Sequence, residues 1–341
     1  MKTIKQSDFE NIQKTTEFSG TALLVQTGEE PIFSSQGYAN RAEKLFNDSG
    51  TRYGIASGCK LFTAIAICQL VEEGKISFES KLSECMDIVF PKYSKNINIH
   101  HLLTHTSGVP DYFDEEVMDN FEDLWKNRPM YMLRNLVDFL PLFQNEEMTF
   151  TPGEKFAYNN TGYILLGLIV EKISGMRFTN YIEKNIFKTA GMQNSGYFAF
   201  DSLPNNTAQG YIDYDDGTWK TNIYSLPAIG GSDGGGFVNT KDMALLWEAL
   251  LDHKLLSETS TRILLTPHVK DTDEHYYGYG LWIRKKNGEI NKYHVMGYDP
   301  GVSFHSAYYP ISKTTLVVCS NASSGAFGVM KEVEKIMQIN P

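Results

Sequence analysis

Apolar positions are patterned differently at the two ends of this chain and in its middle. Near the N-terminus, "GTALLVQT" (20–27) and "PIFSSQGYA" (31–39) flank the turn-like "GEE", which predicts a β-hairpin. The polar stretch before it, "MKTIKQSDFENIQKTTEF", reads as a helix. "LFTAIAICQLVEEG" (61–74) is apolar on nearly every side and is closed by Gly74, so it predicts a helix buried at the centre. In the middle, "INIHHLLTHTSG" (97–108) starts a helix and ends it at a turn. "TGYILLGLIVEKISG" (161–175) and "RFTNYIEKNIFKTAG" (177–191) each have helical period and a glycine stop. Glycines then cluster in "GGSDGGG" (230–236), a loop whose backbone needs unusual angles.

Towards the C-terminus the period changes to two. "YGYGLWIRK" (277–285), "INKYHVM" (290–296), "GVSFHSAYY" (301–309) and "TTLVVCSN" (314–321) predict four successive antiparallel strands, followed by a helix, "FGVMKEVEKIM" (327–337). The fold class expected is α/β of the α+β kind: one antiparallel sheet flanked by N- and C-terminal helices, with a mainly helical lobe inserted. The sheet lobe is expected at 1–75 plus 275–341 and the helical lobe at 76–274, forming one catalytic unit with its site between the lobes.

The 341 residues, 42% hydrophobic and 21% charged, are ordinary for a globular protein with a large core. A net charge of −10 without a dense basic patch excludes nucleic acid as a partner. No apolar run reaches the length of a membrane span. Cys59, Cys68, Cys85 and Cys319 form no C-x-x-C pair and no metal spacing. With no apolar leader in the sequence, this favours a reducing cytoplasm, or an extracytoplasmic place if a signal segment has been removed. A monomer without cofactor or metal is expected.

Three short stretches could carry chemistry. In "ASGCKLFTA" (56–64), Ser57 and Lys60 lie three apart at the head of the buried helix. A helix starting near residue 57 puts both on one face, within reach of each other. A lysine buried against an apolar wall favours its neutral form and could take the serine's proton. The plainer reading makes Ser57 an N-cap and Lys60 a solvated side chain. In "FAYNNTGYILLG", Tyr158 and Asn160 precede a helix. They read either as a packed aromatic and an N-cap, or as a proton relay and a substrate hydrogen-bonding group. In "HVMGYDPGVSF" (294–304), Gly297 lies on a strand where a substrate backbone could approach.

Taken in order, S-x-x-K, Y-x-N after "TPGEKF", and a glycine-bearing C-terminal strand resemble the serine β-lactamase and penicillin-binding-protein superfamily. The branch is that of class C β-lactamases, D-alanyl-D-alanine carboxypeptidases and related esterases. "HLLTHTSGVPDY" and "GGFVNTKDMALLWEALL" are similar to its connecting segments. The resemblance implies that Ser57 is the nucleophile of an acyl-enzyme and Lys60 its base. It implies that Tyr158 relays the proton to the leaving group and Asn160 binds the substrate amide. The backbone N–H groups of Ser57 and of Tyr298, after Gly297, would form the oxyanion hole.

The third stretch departs from the family. A gap-free match through Pro300 and Gly301 puts Val295 where the family has Lys or His, and Met296 in the middle. His294 is one position early, which on a strand means the other face. That puts efficient hydrolysis of carboxylate-bearing β-lactams and D-peptides in doubt, but leaves nucleophile and base in place. His101 and His105 have i, i+4 zinc-like spacing but no Glu between them and no third ligand, so they read as a helix end. "SDG" (232–234) reads as a turn. The function expected is a serine hydrolase acting on a small ester, amide or D-peptide as esterase, carboxypeptidase or weak β-lactamase. The alternative is a degenerate member that binds peptidoglycan-like peptides or β-lactams without turnover.

Overall fold

The computed structural model describes residues 4–114, 118 and 121–338, so the first three residues of the expected N-terminal helix lie outside the described part. That helix, α1, spans Gln6–Thr15. The hairpin strands are β1 (Gly20–Gln26) and β2 (Ile32–Gln36). Short strands β3 (Val269–Lys270) and β4 (His275–Tyr277) lead to β5 (Trp282–Lys286), β6 (Glu289–Asp299), β7 (Val302–Tyr309) and β8 (Thr314–Ser320). All eight join one sheet in the order β2-β1-β8-β7-β6-β5-β4-β3, antiparallel throughout. The two ends of the chain therefore meet at β1 and β8, where Gly20 pairs with Ser320 and Gln26 with Thr314.

The segment "YGYGLWIRK" is not one strand. It breaks at 278–281 and forms a tight reversal between β4 and β5. Gly280 explains the break: its φ is +74°, and a Cβ there would lie 2.5 Å from the carbonyl oxygen of Lys60. The reversal therefore abuts the start of the buried helix.

That helix, α2 (Lys60–Glu72), has no side chain more than partly exposed before its final turn, because apolar residues surround it. It packs against α3 (Asn160–Ser174), which ends at Gly175 in the left-handed region. Between them these two helices and one face of the sheet form the main core. On the opposite face, α1 and the C-terminal helix α5 (Ala326–Ile336) cover a second, smaller core built on Ala22, Leu24, Ala307 and Tyr309. Helix α4 (Thr240–Leu251) packs on β1 and β8. Its fully buried Trp247 donates from Nε1 to Ser306 Oγ on β7 at 2.8 Å. Two elements within the span 76–274, β3 and α4, thus belong to the sheet layer. Among the described residues no helix is long and apolar enough to cross a membrane.

A polar cluster lies beneath α5. Lys292 on β6 and Tyr309 on β7 both donate to Glu334 Oε1, each at 2.7 Å. Beside them His294 and His305 stack with ring centroids 5.1 Å apart. Nδ1 of His294 and both nitrogens of His305 have no hydrogen-bond partner. Burial holds both rings well below the usual histidine pKa, and the Lys292 charge pushes the same way. In the unfolded chain they protonate near pH 6.5. Below that pH the unfolded state binds more protons, so stability falls as pH falls, by up to about 1.4 kcal/mol per pH unit for each ring. Asp111, pushed up to about 7 by burial, acts in the opposite sense, because the folded state takes its proton first. His305→Phe should therefore flatten the loss of stability between pH 6 and 5 by up to about 1.2 kcal/mol. Urea unfolding at both pH values measures it, and an unchanged slope would show that His305 is charged in the folded protein.

Candidate active site

Ser57 lies on a 3₁₀ turn, Ala56–Cys59, and the α-helix begins only at Lys60. This differs from a helix starting at 57, and the difference matters. In a 3₁₀ turn residues i and i+3 eclipse each other, which brings Lys60 Nζ to 2.9 Å from Ser57 Oγ. Ser57 is not a cap: Cys59 occupies the N-cap position of α2 and no side chain caps it. Ala56 has φ +44°, a left-handed conformation costing a non-glycine residue about 1–3 kcal/mol. The surrounding chain holds it there: the Ala56 carbonyl accepts from Gly235 N at 3.3 Å.

Lys60 is 1% exposed. Its surroundings are not the apolar wall expected. Nζ also donates to Asn160 Oδ1 and to the backbone carbonyl of Asp233, each at 2.8 Å. Three oxygens thus surround the Lys60 nitrogen. The rings of Tyr158 and Tyr163 lie 4.9 and 5.5 Å from Nζ.

Asn160 is free for this because it is not the N-cap. Asn159 caps α3, accepting from Gly162 N at 2.7 Å. Asn160 N and Thr161 N both donate to Asp111 at 3.0 Å. The Asn160 amide nitrogen faces Asp111 Oδ2 and the Phe113 carbonyl, at 3.4 and 3.3 Å, so its oxygen is turned to Lys60. Burial pushes Asp111 up to about 7, against the opposing pull of these N–H groups and of the Lys60 charge. Tyr158 packs between His105, at 4.4 Å, and Trp282, stacked at 6.2 Å. His105, one of the two zinc-spaced histidines, accepts from Asn159 N through Nδ1 at 3.0 Å. It positions the segment that carries Tyr158 and Asn160. Among the described residues no group of three His, Cys, Asp or Glu could hold a metal.

The third stretch meets Ser57 through Gly297. A Cβ on Gly297 would lie 2.1 Å from the Ile55 carbonyl oxygen and 2.9 Å from Ser57 N, so only glycine lets strand β6 come this close. Strands β6 and β7 pair without a slip from Tyr293 to Asp299. Val295 therefore shares the face of Gly297 and is buried in the main core, 2% exposed. His294 points to the other face, onto His305.

Four contributors escaped the reading of the sequence: Ala56, Asp111, His105 and Asp233. "SDG" is a turn, but also one wall of the site. Besides the carbonyl that holds Lys60, Asp233 accepts a hydrogen bond from the Tyr112 hydroxyl, and Ser232 O accepts from Thr63 Oγ1 at 2.6 Å. Burial raises the Asp233 pKa, and the Lys60 charge and Tyr112 counter it. No local spacing signals these contacts.

A buried lysine that joins a serine one turn away to an asparagine across the cleft, on this sheet-and-helix frame, defines a serine hydrolase of the β-lactamase and penicillin-binding-protein type. The family model described as "Beta-lactamase" matches residues 6–338, and the chain belongs to that family. Penicillin-binding protein 4* of Bacillus subtilis (strain 168) is 31% identical over 336 residues, covering 93% of this chain and 71% of that protein. Among solved structures, a penicillin binding protein from Bacillus halodurans is 61% identical, with a TM-score of 0.93, covering 96% of this chain and 99% of the other. An octameric penicillin-binding protein homologue from Pyrococcus abyssi is 26% identical, with a TM-score of 0.85, covering 98% and 77%.

Gly297→Ala should push Ser57 N–H out of place. Ester hydrolysis is expected to drop by ~10²-fold or more, the scale of one lost oxyanion donor, while the thermal melt stays cooperative. A variant with near wild-type kcat/KM would show that the Gly297 approach does not set the Ser57 backbone.

Proposed function

We propose that the protein hydrolyses small, uncharged esters or amides through an acyl-enzyme on Ser57. The observation that carries this reading is Lys60 Nζ held between Ser57 Oγ and Asn160 Oδ1, at 2.9 and 2.8 Å. Acting as a neutral amine, with its two N–H groups on Asn160 Oδ1 and the Asp233 carbonyl, Lys60 takes the hydroxyl proton on its lone pair as Oγ attacks the carbonyl carbon. The backbone N–H groups of Ser57 and Tyr298 receive the developing oxyanion. When the bond to the leaving atom breaks, Tyr158 gives that atom a proton and recovers one from Lys60. Water then enters by the same route in reverse and frees Ser57. Asn160 Oδ1 holds Lys60 in place, and Asn160 lines the smaller cavity beside Ser57. Ser57 and Lys60 come from one wall of the cleft and Tyr158 and Asn160 from the other, which supports a single two-lobed catalytic unit.

The names of the relatives support acylation of a serine as the first step. Val295 supports a preference for uncharged substrates, because a buried valine stands where a carboxylate-binding cation would be. Asp111 and Asp114 also line the larger cavity beside Ser57. A monomer is the proposed working unit, since one chain supplies every group named. Four buried, unpaired cysteines support a reducing compartment such as the cytoplasm.

Treating the protein with a fluorophosphonate and mapping the adduct should find it on Ser57. Lys60→Met and Tyr158→Phe should each slow acylation by at least ~10²-fold with the fold intact. An adduct elsewhere, or labelling that survives Ser57→Ala, would sink the assignment.

The substrate preference gives a second measurement. A carboxylate without its charge-assisted partner loses about 1.5–3 kcal/mol, or roughly ten- to a hundredfold. The kcat/KM for a nitrophenyl acetate bearing a ring carboxylate should therefore trail that for the uncharged nitrophenyl acetate by at least about tenfold. Equal rates on the two would overturn the inference from Val295.

A further inference from the structure

We infer that the cleft sorts the two halves of a substrate by size: the acyl part is a short apolar group, and the leaving group is the bulky half. This rests on Ser57 as nucleophile and Tyr158 as proton donor. Ser57 stands where two cavities meet, one of about 50 Å³ and one of about 390 Å³. Asn160 lines only the smaller and Tyr158 only the larger. The leaving atom must lie beside its proton donor, so the leaving group enters the larger cavity. The acyl substituent, on the far side of the carbonyl carbon, faces the smaller one.

The smaller cavity is walled mainly by Phe113, Phe121, Phe139, Phe200, Leu226 and Pro227, with Asp233 and Asp299 also in its lining. At about 50 Å³ against about 390 Å³, it takes a much smaller group than its neighbour. Its walls are braced. Phe139 is 2% exposed and packs edge-on against Tyr112 at 5.4 Å, whose hydroxyl is held by Asp233. The segment leading to Leu226 is pinned where Trp125 Nε1 donates to the Ser225 carbonyl at 2.7 Å. Phe200 N donates to the Ala228 carbonyl at 2.9 Å. The floor is closed by Gly231 N donating to Gly234 O at 2.8 Å. An apolar acyl group of two to four carbons fits, and a longer chain would have to displace packed aromatic rings. The larger cavity has room for an aromatic or peptide-sized group against Phe150, Trp282 and Met296.

The test is the wild-type enzyme on nitrophenyl acetate, butyrate and octanoate, whose leaving group is constant, and on phenyl and 2-naphthyl acetate, whose acyl group is constant. Expected are a fall in kcat/KM of at least tenfold from acetate to octanoate, and a 2-naphthyl ester at least as good as the phenyl ester. Phe200→Ala and, separately, Leu226→Ala should raise the octanoate-to-acetate ratio at least fivefold. Fluorophosphonate labelling of Ser57 is followed in parallel. If Ser57 labels and acetate is hydrolysed but octanoate is as good, the size inference is overturned and the nucleophile stands. If Ser57 neither labels nor supports hydrolysis, the nucleophile assignment fails and the size inference falls with it.

Discussion

One buried nitrogen constrains the rest of the cleft. Lys60 is almost wholly removed from water, and an unpaired ammonium there would cost several kcal/mol. Its three oxygen partners come from residues 57, 160 and 233, far apart in the chain. Satisfying this nitrogen therefore requires the start of α2, the start of α3 and the glycine-rich loop to converge on a point. Each of these has its own brace. Asp111 fastens the first N–H groups of α3, and Tyr112 and Thr63 hold the loop. Removing one partner would leave Lys60 underpaired, so packing and chemistry are secured by the same contacts.

Close approach is the second requirement, and backbone shape meets it. Strand β6 reaches Ser57 N because residue 297 lacks a Cβ, and the β4–β5 reversal reaches the Lys60 carbonyl because residue 280 lacks one. Ala56 contributes differently, by holding a left-handed φ just before the serine. That local strain is sustained by the main core packed around it and by the hydrogen bond from Gly235.

How much of this was legible depends on the range of each interaction. Ser57 and Lys60 are three residues apart, so local geometry brings them together, although the eclipsed 3₁₀ turn that does so has no distinct sequence signal. The apolar helix at 61–74 and the C-terminal strands could be read because each follows a period set by burial. "YGYG" misled because alternating tyrosines mimic a strand, while its glycines are there for a reversal against α2. Asn159 and Asn160 are adjacent and chemically equal, so sequence could not tell the cap from the residue facing Lys60. Asp111, His105 and Asp233 act through contacts with residues some 50 to 170 positions away, all three with a backbone group on one side of the bond. Such pairings exist only in the folded chain.

The third stretch shows how a single register decides the charge of a cleft. Strand β6 passes Ser57 with no bulge against β7, so alternate residues are committed to opposite faces. Val295 goes to the core beside Gly297, and His294 goes under α5, where burial keeps it neutral beside His305. A histidine is therefore present in this strand yet unable to act on the substrate side. Moving it across would take a one-residue slip, which would also withdraw Gly297 from Ser57 and drive a side chain into the Ile55 carbonyl. The close approach of Gly297 to Ser57 and the turning of His294 to the opposite face are thus consequences of one register. What remains on the substrate side of the larger cavity is an aromatic and carboxylate-bearing wall, Trp282, Asp111 and Asp114, with the exposed Lys155 at its edge. Apart from Lys155, such a wall offers an anionic group little compensation for its lost hydration, whereas an uncharged group needs far less.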